Sequence, residues 1–283
     1  MALTMIKGRF RVLGASPDGD SVRFYADDPT AFARANIKVR LNGQGGAQLR
    51  LDGIDALETH YASWHQQTEL GNAASKKLLD YLGFKNVRRN NRGLVSSAKP
   101  DEVPGHIMTR FADKYGRAVS FAFKGTPPAD EDDGDQVFLD VGRMRKSANH
   151  TMLESGLAYP TFYSLLYVDL RKAMADASNK ARAAEKGVWR TDRTTTGFDV
   201  TARDQLSDLV ILPKLFRRLV DYLDLDETGG ASLDGFAHYL DTRNDRLFTV
   251  PDGHSTELAT LVEVEGRHID MTVPPERIVF VEA

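Results

Sequence analysis

From Gly105 to Phe123 the chain reads GHIMTRFADKYGRAVSFAF, with apolar and polar residues alternating on both sides of the turn-forming DKYG. A period of two suits half-buried strands and excludes a helix, so this stretch is a β-hairpin. The same period recurs upstream. GRFRVLGASPDGDSVRFYAD alternates around SPDGD, and NIKVRLN and AQLRLDGID follow, separated by GQGG. Gly, Pro, Asn and Asp supply the turns. One helical stretch intervenes: in ELGNAASKKLLDYLGF, Leu70, Ala73, Ala74, Leu78, Tyr81 and Leu82 recur near helical spacing until Gly83. A helix between the third and fourth strands fits a small closed barrel rather than a sandwich. The expected fold is an all-β barrel (OB-fold, Greek key) with flanking α-helices.

The rest of the chain extends this plan. Residues 85–104, KNVRRNNRGLVSSAKPDEVP, read as a loop or ragged strand edge. Lys85, Arg88, Arg89 and Arg92 there are either a phosphate-contacting patch or a solvated loop. PPADEDDGD is an acidic loop tip. SANHTMLESG is a helix capped by Ser147 or Asn149 and closed by Gly156, and YVDLRKAMADASNKARAAEKG is another that stops at Gly187. TDRTTTGFD, residues 191–199, reads as a polar linker. Beyond it, ILPKLFRRLVDYL is an amphipathic helix and SLDGFAHYLDTRNDRL a second, capped by Ser232. ATLVEVEGRHIDMTV is a hairpin and RIVFVE a last strand. The sequence therefore divides into a barrel domain, 1–195, and a small C-terminal α+β module, 196–283.

Composition narrows the chemistry. The 283 residues include no cysteine, which excludes disulfides, thiolate metal sites and cysteine nucleophiles. No apolar run reaches the ~18 residues of a membrane span. The start, MALTMIKGRFRVLG, lacks the apolar core of a secretory signal, so a cytoplasmic location is expected. The net charge of −3 hides a split. Residues 1–195 carry 29 Lys and Arg against 23 Asp and Glu, a net of +6, while residues 196–283 carry 8 against 17, a net of −9. A basic body suits a polyanion such as nucleic acid. The acidic module is then expected to regulate the body or bind a protein partner.

QLRLDGIDALET, from Gln48 to Thr59, packs an arginine and three acids into what is otherwise a strand. Asp20 and Asp55 are hard oxygen ligands of the kind a calcium or magnesium ion takes from separate segments, with Glu58 close by. Phosphodiester chemistry also needs planar guanidinium forks on developing phosphate charge, and Arg50 and Arg117 are the candidates. In a regular strand Arg50 and Asp55 would point apart. A bulge at Gly53 would bring them to one face. Asp52 matches no functional position and reads as a solvated strand residue. Tyr159 and Trp189 read as packing groups.

In their order, DGDSV, LRLDGIDALET, DKYGR and ARAAEKGVW resemble the staphylococcal nuclease (thermonuclease) family, over roughly residues 8–192. The resemblance implies an OB barrel that hydrolyses DNA or RNA with calcium, water attacking phosphorus to leave 3′-phosphate ends. It implies that Asp20, Asp55 and the Ala56 carbonyl bind Ca2+, that Glu58 is the general base, and that Arg50 and Arg117 hold the phosphate. Lys114 and Tyr115 match contacts to a nucleotide's terminal phosphate. Phe162 and Tyr163 loosely match its base-stacking aromatic pair. The alternative is a domain of the same fold that binds nucleic acid or protein without turnover. One departure stands out: where the family commonly has proline before the glutamate, this chain has Leu57.

The seven histidines are scattered without metal-ligand spacing. DLDETGGASLDG outlines an EF-hand loop through Asp224, Asp226, Thr228 and Ser232, but Gly235 stands where a bidentate glutamate belongs, so a capped helix–loop–helix is expected.

Overall fold

The computed structural model describes residues 2–282. Its contacts separate two compact units, one of residues 1–52 and 74–152, the other of residues 53–73 and 153–283. This partition cuts across the linear division at residue 195.

The first unit is a closed five-stranded barrel. β1 (Ala2–Arg11) pairs antiparallel with β2 (Ser21–Ala26), and β2 pairs antiparallel with β3 (Ala47–Leu51). Past Gly53 the chain forms β4 (Ile54–Asp55), which belongs to the second unit. Helix α1 (Thr68–Leu82) ends at Gly83, whose φ of +111° no branched residue adopts comfortably. The polar stretch after it is a two-stranded ribbon rather than a loop, β5 (Lys85–Arg89) against β6 (Val95–Lys99). Arg89 pins the ribbon, donating to the Pro17 and Gly93 carbonyls and to Ser75 Oγ. β7 (Glu102–Ala112) and β8 (Ala118–Lys124) are the expected hairpin. β7 pairs with β1, and β8 runs parallel to β3, which closes the ring in OB order. β9 (Gln136–Phe138) takes the edge of β1 that β2 leaves at Ala2–Thr4.

Alternation fills the barrel. Phe10, Phe24, Leu49, Leu51 and Ile107 are fully buried, and the Phe10 and Phe24 rings meet edge to face at 5.3 Å. Gly8 lies opposite Gly105 where β1 crosses β7. A Cβ on Gly105 would come within 2.2 Å of the Phe10 ring, so glycine is what allows the strands to curl this tightly there.

The second unit holds α2 only from Leu153 on, within Ala148–Glu154, and then β10 (Tyr159–Pro160), which pairs with β4 so that Tyr159 faces Asp55. β11 (Phe162–Tyr163) leads into α3 (Val168–Ala183). β12 (Phe198–Asp199), α4 (Pro213–Leu223), α5 (Phe236–Arg243) and β13 (Arg246–Thr249) follow. β14 (Ser255–Glu257), β15 (Val262–Glu265), β16 (His268–Met271) and β17 (Ile278–Phe280) complete the chain. They form two small sheets, ordered β11-β17-β13-β14 and β12-β16-β15. α5 is preceded by Gly235, so Ser232 is not its cap; Leu233 and Phe236 are both buried and the turn between them sets the start.

One apolar core unites this unit. Leu57, Tyr159 and Trp189 pack in a single cluster with Leu215, Phe216, Leu219, Phe236, Leu247 and Phe280. Residues 191–199 are correspondingly no linker. Thr194 is fully buried, accepts from the Leu212 amide through Oγ1 and from the Met271 amide through its carbonyl, and Tyr159 donates to Asp192 at 2.8 Å. Among the described residues no helix is long and apolar enough to cross a membrane.

Candidate active-site residues

The expected site residues fall into both units, and each group is built by its own unit. In the barrel, Arg50 sits on β3 with Ser21 of β2 as its register partner. That register brings Arg50 to Asp20 at the head of β2, Nη1 to Oδ2 at 3.3 Å, with the side chains only 14% and 9% exposed. The Asp20 carbonyl accepts from the Leu51 amide, so the same junction fixes both residues.

Arg117 is set by the turn that joins β7 and β8. Asp113 accepts the backbone amides of Tyr115 and Arg117 on Oδ1, and the Arg117 Nε on Oδ2 at 2.7 Å. An aspartate that closes its own turn is a local device that holds the guanidinium from one side. Tyr115 is well exposed, and both Lys114 and Arg117 lie 5.5 Å from its ring centre. This cationic, aromatic tip has the chemistry to take a phosphate group.

Two barrel residues depart from the sequence reading. Asp52 is buried, not solvated: its amide donates to Ser120 and its carbonyl accepts from Asn149 Nδ2 at 2.9 Å. Asn149 also spans β8, bonding the Ser120 carbonyl and the Ala122 amide. It therefore pins the end of β3 to β8. The strand breaks at Gly53, with φ +75°, and does not simply bulge. A Cβ there would lie 2.6 Å from Met174.

In the second unit, Asp55 ends β4 and is 1% exposed, and the Ala56 that follows is also buried. Leu57 explains the missing proline: its side chain is in the apolar core, so burial rather than a fixed φ positions the segment. Gln66 completes that work. Fully buried, it accepts the Glu58 amide on Oε1 at 3.0 Å and donates from Nε2 to the Ile211 carbonyl at 2.9 Å.

Onto these acids α4 places a residue that no motif flags. Leu215, Phe216, Leu219, Val220 and Leu223 form the buried stripe of α4, which leaves Lys214, Arg217, Arg218 and Asp221 on other faces. Arg217 Nη2 meets Asp55 Oδ2 at 2.7 Å, and Nη1 bonds both Asp55 Oδ1 at 3.3 Å and Glu58 Oε1. Burial alone would lower the Arg217 pKa, but Asp55 and Glu58 outweigh it and hold the guanidinium well above its ordinary value. The signal available in the sequence was local: three of the eight basic residues after position 195 fall within residues 214–218.

The oxygens that would ligate a divalent cation are thus hydrogen-bonded to a guanidinium. Among the described residues no group of three or more His, Asp or Glu side chains is arranged to hold a metal. In this arrangement the residues do not fit bound calcium. Phe162 does not fit its expected role either: it is fully buried in β11, paired with Val279, and no base can stack on it. Tyr163 is half-buried, with its ring 5.9 Å from that of Phe280. The EF-hand outline is closed by other contacts, since Asp224 accepts from the Trp64 indole and Asp226 from the Thr228 amide and hydroxyl.

The family model described as staphylococcal nuclease homologue matches residues 48–191, just over half of the chain. No curated protein matches the chain. The chain belongs to the staphylococcal nuclease homologue family.

Proposed function

We propose that this member of the staphylococcal nuclease family hydrolyses phosphodiester bonds in DNA or RNA. The observation that supports it most is the acid pair of the second unit. Two carboxylates buried side by side repel and are poorly solvated, so a fold keeps them only with a cation in place or for a use. Here Asp55 is 1% and Glu58 16% exposed at the side chain, on a segment held by Leu57 and Gln66.

In the proposed reaction Arg50 and Arg117 donate to phosphate oxygens as charge develops on them, the role a planar fork serves best. Lys114 and Tyr115 receive a terminal phosphate. Glu58, once Arg217 is off it, takes the proton of the attacking water; the bond to the 5′ oxygen breaks and a 3′-phosphate remains. Calcium dependence is a separate matter, because the acids as arranged do not fit the ion. The function of the 196–283 segment is proposed to be control of these acids.

A second reading has its own observation. Arg217 bonds both acids and α4 is firmly seated, which would suit a domain that binds nucleic acid without cutting it. Binding and nicking measured together on one plasmid and one RNA separate the two, with calcium and with chelator. Cleavage beyond the background of Glu58→Gln supports the nuclease. Binding with no cleavage in either condition supports the second reading.

A further inference from the structure

We propose that Arg40 belongs to the phosphate site at the tip of the β7–β8 turn, and that it makes this site select a terminal phosphate over a phosphodiester. The inference rests on the reading of Lys114 and Tyr115 as groups that receive a phosphate. It adds a residue that lies before the matched segment of residues 48–191.

The backbone brings Arg40 to the tip. Its amide donates to the Gly116 carbonyl at 2.8 Å, which ties the loop between β2 and β3 to the turn that carries Lys114, Tyr115 and Arg117. The two segments are in close contact. A Cβ on Gly116, whose φ is +79°, would come within 2.8 Å of the Arg40 Cβ and 2.9 Å of its amide nitrogen. Glycine at that position is what admits the loop. Arg40 is thus planted against the residue that follows Tyr115. From there its long side chain can reach a group held at the Tyr115 ring.

The loop is fixed on both sides of Arg40. Before it, Ala31, Phe32 and Ile37 are buried. After it, Leu41 bridges to Ala47 at the start of β3, and Asn42 Oδ1 accepts the amides of Gln44 and Gly46, each at 2.9 Å. The Asn42 amide donates in turn to the Gly46 carbonyl. A binding group carried by an ordered segment loses less freedom on contact with its ligand, so the support favours binding.

Charge indicates what the site takes. Arg117 has Asp113 on its Nε, so those two charges offset each other. Arg40 and Lys114 are exposed and form no ion pair among the described residues. They place two positive charges without a counter-charge beside an exposed aromatic ring. A terminal phosphate carries about −1.5 to −2 at pH 7 and matches that charge, whereas each phosphodiester carries a single negative charge. Arg40 offers a planar fork to two phosphate oxygens, and Lys114 a point charge.

The test is equilibrium binding of a short oligothymidylate to the full chain in chelator. The strand carries a 5′-phosphate, a 3′-phosphate or no terminal phosphate. Wild type is expected to bind one of the phosphorylated strands about tenfold more tightly than the strand with neither, the scale of a hydrogen bond between charged groups. Arg40→Gln keeps the backbone bond to Gly116 and is expected to lose most of that preference, while its affinity for the unphosphorylated strand changes little. No preference in wild type, or the full preference retained by Arg40→Gln, overturns the proposal. An equal loss for all three strands also overturns it, because Arg40 is then a general cation. No binding of any strand overturns it together with the nucleic-acid reading. The readout is binding, so the predicted preference without cleavage supports the proposal and counts against the nuclease reading alone.

Discussion

Replacing Arg217 by methionine keeps most of its length and removes the charge that bonds both Asp55 and Glu58. Breaking a buried ion pair by deleting one partner costs about 3–5 kcal/mol, because the other charge stays buried. Asp55 is 1% exposed, which places it in that regime, while Glu58 at 16% and Arg217 at 21% retain some water. The lower end, about 3 kcal/mol, is therefore expected in chelator at pH 7. Asp55→Asn removes one of the two acids and leaves Arg217 its bond to Glu58, so it should cost less. The double variant should then fall short of the sum by on the order of 2 kcal/mol, the coupling of residues in direct contact. Urea unfolding followed by tryptophan fluorescence measures all three, since Trp64 and Trp189 both belong to this unit. A loss below about 1 kcal/mol in Arg217→Met, the scale of an exposed pair, would refute the view that it neutralises buried acids.

Gly53→Ala should destabilise by roughly 1–3 kcal/mol, from the positive φ and the close approach of Met174, which thermal unfolding will show. Asp245 is half-buried, which by itself would raise its pKa, yet its bonds to Arg218 and Lys214 bring it down to about 2. A folded-state pKa below the unfolded one stabilises at pH above ~4, by roughly 2 kcal/mol, and that share is lost as pH falls through ~2. Asp245→Asn should accordingly be less stable than wild type at pH 7 and approach it towards pH 2 in a pH series of urea midpoints. On the ribbon, Lys85 and Lys99 are exposed cross-strand partners. If they contact phosphate, changing both to glutamate weakens nucleic-acid binding and lowers the salt slope by about 1.4–1.8. An unchanged slope would show the ribbon to be no part of the interface.

Where the pattern was dense, the sequence was readable. The hairpin around DKYG and the helix ending at Gly83 rest on local signals, namely alternation and helical period. So does the setting of Arg117, since Asp113 and Arg117 belong to one turn. At Gly53 a bulge is expected and the strand breaks instead. The ribbon of residues 85–99 was read only as a loop or ragged strand edge because its buried residues, Val95 and Ala98, lie three apart and set no period of two. Asp52 was misread because an acid in a strand suggests water, whereas Asn149, nearly a hundred positions away, helps enclose it. Arg217 was the largest omission. It reaches Asp55 across 162 positions, and the acidity of residues 196–283 conceals the basic cluster that holds it. Leu57 shows the converse: a departure from a family pattern is a core residue.

In the proposed reaction Glu58 is the base for the attacking water. The most direct measurement is the single-turnover cleavage rate of a short end-labelled DNA or RNA, with product ends identified, for wild type and Glu58→Gln. The predicted result is cleavage to 3′-phosphate ends that falls by about 10²–10⁴-fold in the variant while binding is retained. Equal rates in the two proteins, or bound substrate left uncut by wild type with and without calcium, would contradict it.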